Sequence, residues 1–154
     1  MISWNDFETR QPQMAEAGKK LLYQFGVGLA FLATVRKDGA PRLHPFCPTV
    51  VDGCLYGLIL PASPKCNDLK RDGRYALHTF PPVETDDEFL IMGRAQFVED
   101  DAQVSRVRAD QIARGMTSTN DEALFRFAID RVMYAKYPGG HGTWPPKYHI
   151  WKER

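Results

Sequence analysis

Two Asp-Gly pairs, Asp38-Gly39 and Asp52-Gly53, divide residues 27–60 into three short runs rich in β-branched, aromatic and aliphatic side chains. Asp-Gly supplies the positive φ that a tight hairpin needs, so the chain is bound to reverse twice within this stretch. The runs are Val27 to Val35, Arg42 to Val51 and Cys54 to Leu60, which together predict a three-strand antiparallel meander. The first run is apolar on both faces, as in a central strand covered on both sides. A third pair, Asp72-Gly73, stops one or two helical turns that begin at Pro64.

The rest of the chain extends the same pattern. Arg74 to Phe80 reads as a fourth strand and Glu88 to Val98 as a long fifth, with Gly93 at a bulge or bend. Phe125 to Tyr137 is a sixth, with Phe125, Phe127 and Ile129 on one face, and Tyr148 to Trp151 closes the series. Helices are predicted from Met14 to Phe25, ended by Gly26 and Gly28, and from Asp100 to Gly115 with Val104, Val107 and Ile112 on one stripe. Ser3 or Asp6 can cap an opening helix, Pro12 limits where that helix begins, and Thr119-Asn120-Asp121 can start another short one. Six or seven short antiparallel strands with two or three flanking helices avoid exposed edges by curling closed. The expected fold is mainly β (α+β), a small barrel with helices packed outside.

A length of 154 residues fits one domain, 1–154, able to bury its own core. A net charge of +1, without a basic run, offers no field for nucleic acid or a membrane surface. Cys47, Cys54 and Cys66 are odd in number and lack C-x-x-C spacing, which points to a reducing compartment. The polar N-terminus contains no signal-peptide core, and the longest apolar run, Val27 to Ala33, is too short to span a bilayer. A cytoplasmic protein is expected.

Few motifs carry chemistry. Ser63-Pro64-Lys65 opens the short helix with a capping hydroxyl, a proline at the first helical position and a cation. Free N–H groups and partial positive charge at a helix N-terminus suit a phosphate, although an ordinary cap beside a surface lysine has the same sequence. Strand alternation places Arg42, His44 and Phe46 on one face, where Arg42 can pair with a phosphate and His44 can hydrogen-bond a heteroatom; a half-exposed strand with a solvent-facing arginine reads the same way. Pro45 and Pro48 favour an edge strand. Trp144, Tyr148 and Trp151 are either core or dimer packing, or a wall against a flat ring. His44, His78, His141 and His149 lack metal-site spacing, and there is no G-x-S-x-G or G-x-G-x-x-G.

The segments LATVRKDGAPRLHP, DGCLYGLILPASPKCNDLKRDGRYALH and DDEFLIMGRAQFVED, in that order, resemble the FMN-binding split β-barrel family related to pyridoxamine 5′-phosphate oxidase. The resemblance is clear over about residues 14–101. It implies a homodimer with FMN in clefts between subunits. Arg42, Leu43, His44 and Pro45 match the strand lining the ribityl chain and ring. Leu58 and Ile59 match strand positions beside the cofactor, and Ser63, Pro64 and Lys65 match the phosphate-holding turn. Trp151 resembles the tryptophan that reaches the cofactor from the partner. Pro64 stands where the vitamin B6 oxidases carry a second basic residue, Glu88 where they carry glutamine, and their Arg- and His-bearing substrate grip is not found after Trp151. The resemblance therefore implies an FMN-dependent oxidoreductase acting on another small molecule. A flavin, deazaflavin or haem carrier or stress-related sensor is the alternative.

Overall fold

The computed structural model describes residues 1–154 and joins eight strands into one antiparallel sheet. Helices α1 (Trp4–Arg10) and α2 (Pro12–Leu22) precede strands β1 (Ala30–Val35), β2 (Pro41–Phe46), β3 (Thr49–Val51) and β4 (Cys54–Ile59). Then come α3 (Pro64–Arg71), β5 (Arg74–Thr79), β6 (Glu88–Val98), α4 (Asp101–Ala113), β7 (Ala123–Lys136) and β8 (Lys147–Lys152). The strand order is β2-β1-β5-β6-β7-β4-β3, with β8 also on β7. Because β6 occupies one edge of β7 along nearly its whole length, β4 and β8 divide the other edge. The sheet splits there, giving a mainly β, split-barrel α+β fold.

The hairpins form as their dipeptides dictate. Asp52 (φ 49°) and Gly53 (φ 71°) both adopt the left-handed conformation of a two-residue turn between β3 and β4. The strand expected from Arg42 to Val51 is interrupted at Cys47-Pro48, where a proline has no N–H to give a ladder, and so becomes β2 and β3. The N-terminus likewise holds two helices. Ser3 caps α1 through a reciprocal capping box with Asp6, and Pro12 takes the first turn of α2, which ends at Leu22 rather than Phe25.

Three further expectations need correction. The first strand begins at Ala30, and only alternate residues are buried, so it is covered fully on one face alone. In α4, Asp100 caps and Val107 is buried, but Ile112 is 50% exposed; Gln111 turns inward instead, donating its amide to the Cys47 carbonyl at 2.7 Å. Thr119-Asn120-Asp121 starts no helix: Glu122 accepts bonds from the Ser118 hydroxyl and the Thr119 N–H, Asn120 adopts φ 66°, and β7 follows at once.

The core lies on one face of the sheet. Trp4 and Phe7 of α1 and Leu22 of α2 bury against Leu32, Leu77, Phe89 and Ile91, and Phe125, Phe127 and Ile129 are buried together as their alternation predicts. A smaller cluster, Tyr56, Val107 and Leu124, seats α4 at the β3–β4 end. On the opposite face one rung of register runs through six strands: Pro45, Phe31, His78, Leu90, Met133 and Ile150. All six are exposed or half-buried, and five are apolar. Apart from the β3–β4 end, where α4 packs on Tyr56 and Leu124, this face has no covering layer within the chain.

Candidate functional site

The site is built where α3 meets β1 and β2. Alternation on β2 turns Leu43 and Pro45 outward and Arg42, His44 and Phe46 toward the core side. Phe46 lies over Gly57 of β4, where a Cβ would stand 2.0 Å from its ring, so only glycine admits that aromatic. Asp68, four per cent exposed, projects from the middle of α3 and joins the elements. Its carboxylate accepts from Thr34 Oγ1 of β1 at 2.9 Å, from Arg42 Nε at 2.7 Å and from Arg71 at 3.2 Å. Arg71 also donates to the Val35 carbonyl. Burial would push the Asp68 carboxyl up, but the hydrogen bonds from Arg42, Thr34 and Arg71 outweigh it and hold the group below the usual aspartate range. Arg42 is thus held through Nε while its two terminal nitrogens remain free.

Around this pair sit three polar groups with nothing to bind in the chain. His44 Nε2 is buried without a hydrogen-bond partner. Burial, with Lys65 and Arg42 nearby, lowers the His44 pKa and keeps the ring neutral at pH 7. Lys65 is half-buried and forms no ion pair; burial lowers its pKa, and the titratable groups that oppose this are the thiols of Cys47 and Cys66, not carboxylates. The Cys47 thiol is in turn pushed up by burial, against the pull of Lys65. Ser63 has extended N-cap backbone (φ −71°, ψ 132°), yet its hydroxyl caps nothing. The Lys65 N–H, in the first turn of α3, has no intrahelical acceptor.

An unspent hydroxyl and an uncompensated ammonium at the positive end of a helix form a donor set for a phosphate, while the Arg42 guanidinium lies further along α3, in a basic pocket with Arg36, Lys37 and Arg71. The buried, unpartnered imidazole nitrogen of His44 calls for a heteroatom on the same ligand. These residues fit a phosphate-bearing cofactor such as FMN.

The other expected residues are placed apart from this group. Ile59 is 1% exposed and packs into the core, leaving only its backbone, and Leu58 packs toward the α4 cluster. Trp151 lies half-buried against Phe7 (ring centroids 5.3 Å apart), with four strands between β8 and β2 in the sheet order. Trp144, Tyr148 and Trp151 do not cluster: Trp144 is 77% exposed, and Tyr148, 51% exposed, faces away from Trp151 on β8. Sequence reasoning missed Asp68, whose only local signal was Arg71 three residues on.

A family model described as pyridoxamine 5′-phosphate oxidase matches residues 19–136. No curated protein matches the chain. Among solved structures, a heme binding protein from Mycobacterium smegmatis aligns with TM-score 0.64 and 18% identity over 88% of this chain and 57% of its own. General Stress Protein 26 from Bacillus anthracis aligns with TM-score 0.60 and 18% identity, over 86% and 98%. A nimC/nimA family protein from Clostridium acetobutylicum gives TM-score 0.61 and 15% identity, over 91% and 93%. At these identities the likeness is one of fold.

Proposed function

The chain belongs to the pyridoxamine 5′-phosphate oxidase family, and from that premise we propose that it is a homodimeric FMN-binding flavoprotein, an oxidoreductase for a small molecule other than pyridoxamine phosphate. The observation that carries this reading is Lys65: a half-buried ammonium without a carboxylate, beside a serine hydroxyl that caps nothing. Burying an unpaired charge is costly, and a bound phosphate offsets that cost.

Bound FMN supplies the hydride and electron transfer. Ser63 and Lys65 hold the phosphate, and the free end of Arg42 adds a second cation whose aim Asp68 fixes. Neutral His44 presents Nε2 to a polar edge of the ligand. Leu43, Pro45 and Pro64 contribute backbone or apolar contact along β2 and the turn, Leu58 and Ile59 have only β4 backbone to offer because their side chains pack elsewhere, and Trp151 reaches the ligand of the partner. The uncovered six-strand rung is the dimer surface, since a contiguous exposed apolar face of this breadth marks an interaction site. With Pro64 in place of a basic residue, the turn itself offers one phosphate a single lysine.

Titration of apo-protein with FMN, followed by flavin fluorescence, tests the assignment. Lys65→Ala removes a charged hydrogen bond worth about 1.5–3 kcal/mol, so affinity falls by roughly 10- to 100-fold. Unchanged FMN affinity in that variant sinks the phosphate assignment. Preferential uptake of haem, insensitive to Lys65→Ala, establishes the haem carrier instead; a deazaflavin reveals itself by its own spectrum. Reduction of bound flavin by NAD(P)H and reoxidation by a small molecule separate an enzyme from a carrier.

A further inference from the structure

A second cleft lies between α2 and the β7–β8 end of the sheet, with a volume of about 680 Å³, in the range of small-ligand sites. It shares no lining residue with the Ser63–Lys65 site. Its apolar side is Met14, Ala17 and Leu21 of α2. Its sheet side is two successive same-face pairs of the β7–β8 ladder, Tyr134 opposite His149 and Lys136 opposite Lys147.

The first pair is an aromatic contact fixed within the chain, and the second is a charge pair that the free chain does not explain. The Tyr134 and His149 rings are stacked on one another at the side of the cleft, with centroids 5.9 Å apart and planes 23° apart. Tyr134 is fixed in that position by its hydroxyl, which donates to Asp87 Oδ2 at 3.1 Å. Lys136 and Lys147 are like charges directly across two strands, an arrangement that destabilises a sheet, and neither forms an ion pair. The carboxylates near them are already used. Glu16 pairs with Lys20 at 2.8 Å, and Asp87 accepts from Tyr134 and from the Tyr137 N–H at 2.8 Å.

We propose that this cleft is a second ligand site, taking a small aromatic carboxylate whose ring lies along the Tyr134–His149 side and whose anionic group bridges Lys136 and Lys147. Charge complementarity selects the anion: a carboxylate between the two lysines turns their repulsion into two charge-assisted contacts. The aromatic side opposite an apolar helix face selects a flat, apolar body.

The test is titration of the full chain with benzoate, read by NMR shifts of the His149 and Tyr134 ring resonances, with acetate and benzamide as comparison probes. Saturable shifts are expected with benzoate at least tenfold more tightly than with either comparison. The double variant Lys136→Gln/Lys147→Gln changes only exposed side chains; it weakens benzoate at least tenfold and abolishes the rise in Tm that benzoate gives the parent. Absence of saturable shifts overturns the proposal. Equal binding of benzamide overturns the role of the lysines, and equal binding of acetate overturns that of the aromatic side. Lys65→Ala leaves benzoate binding unchanged, so failure at one site is read separately from failure at the other.

Discussion

Asp68 carries the heaviest residue-scale burden in the structure. It satisfies Arg42, Thr34 and Arg71 at once from an almost fully buried position. Removing it leaves the Arg42 guanidinium and the buried Thr34 hydroxyl without their acceptor and takes one of two acceptors from Arg71. Asp68→Ala is therefore expected to lower unfolding free energy by about 3 kcal/mol, measured by urea denaturation at pH 7. The contribution depends on pH in a defined direction. The carboxyl titrates lower in the folded chain than its ordinary value of 3.8, so its stabilisation is full above that value and is lost as pH falls through the lower folded pKa. The gap between wild type and Asp68→Ala should narrow below about pH 4; a gap constant down to pH 2 argues against the ion-pair account. Arg42 was legible in the sequence as a cation on a strand. Its partner was not, because Asp68 lies 26 positions along and meets it only after α3 has packed on β1 and β2.

At the scale of elements, the start of α3 separates a cap from a binding site. A serine that caps a helix loses about 1 kcal/mol on replacement by alanine. The Ser63 hydroxyl makes no cap bond, so Ser63→Ala is expected to cost less than about 0.5 kcal/mol in apo-protein while weakening FMN severalfold. A full capping loss without change in FMN affinity reverses that assignment. The register shift between β6 and β7, where Asp130 is the extra residue opposite Met92 and Gly93, makes a complementary prediction. A Cβ at Gly93 would lie 1.9 Å from the Ala128 carbonyl oxygen of β7, a backbone atom that cannot move aside without disturbing the ladder. Gly93→Ala should destabilise by at least about 2 kcal/mol, read from the urea midpoint at unchanged m-value. Elements set by local chemistry were the legible ones: the Asp52-Gly53 turn, the Gly93 irregularity, the Asp100 cap. Those decided by neighbours were not. Gln111 turns inward because the Cys47 carbonyl needs a donor, and Glu122 folds the predicted 119–121 helix into a turn.

At the scale of the whole molecule, the proposed dimer rests on the rung from Pro45 to Ile150. Each strand alone shows one or two outward apolar residues, which sequence analysis reads as ordinary; only the register of six strands joins them into a face. The antiparallel barrel was legible because hairpin chemistry fixes antiparallel neighbours, and its split-barrel class came from the family resemblance. The division of β7's edge between β4 and β8, which opens the barrel, was a non-local pairing that no motif announces. Ile150 is 58% exposed in the single chain, so Ile150→Glu should fold normally. Light scattering after gel filtration should then find a dimer for wild type and a monomer for the variant; a dimeric variant places the interface elsewhere. The central claim, that Ser63 and Lys65 hold the phosphate of FMN, is tested most directly by the visible spectrum of the purified protein with the released chromophore identified by mass. The account predicts a flavin spectrum and FMN at about one per chain for wild type, with occupancy lost in Lys65→Ala, in line with a charged phosphate contact of about 1.5–3 kcal/mol. A colourless wild type that does not take up added FMN, or a Lys65→Ala variant that retains it in full, contradicts the account.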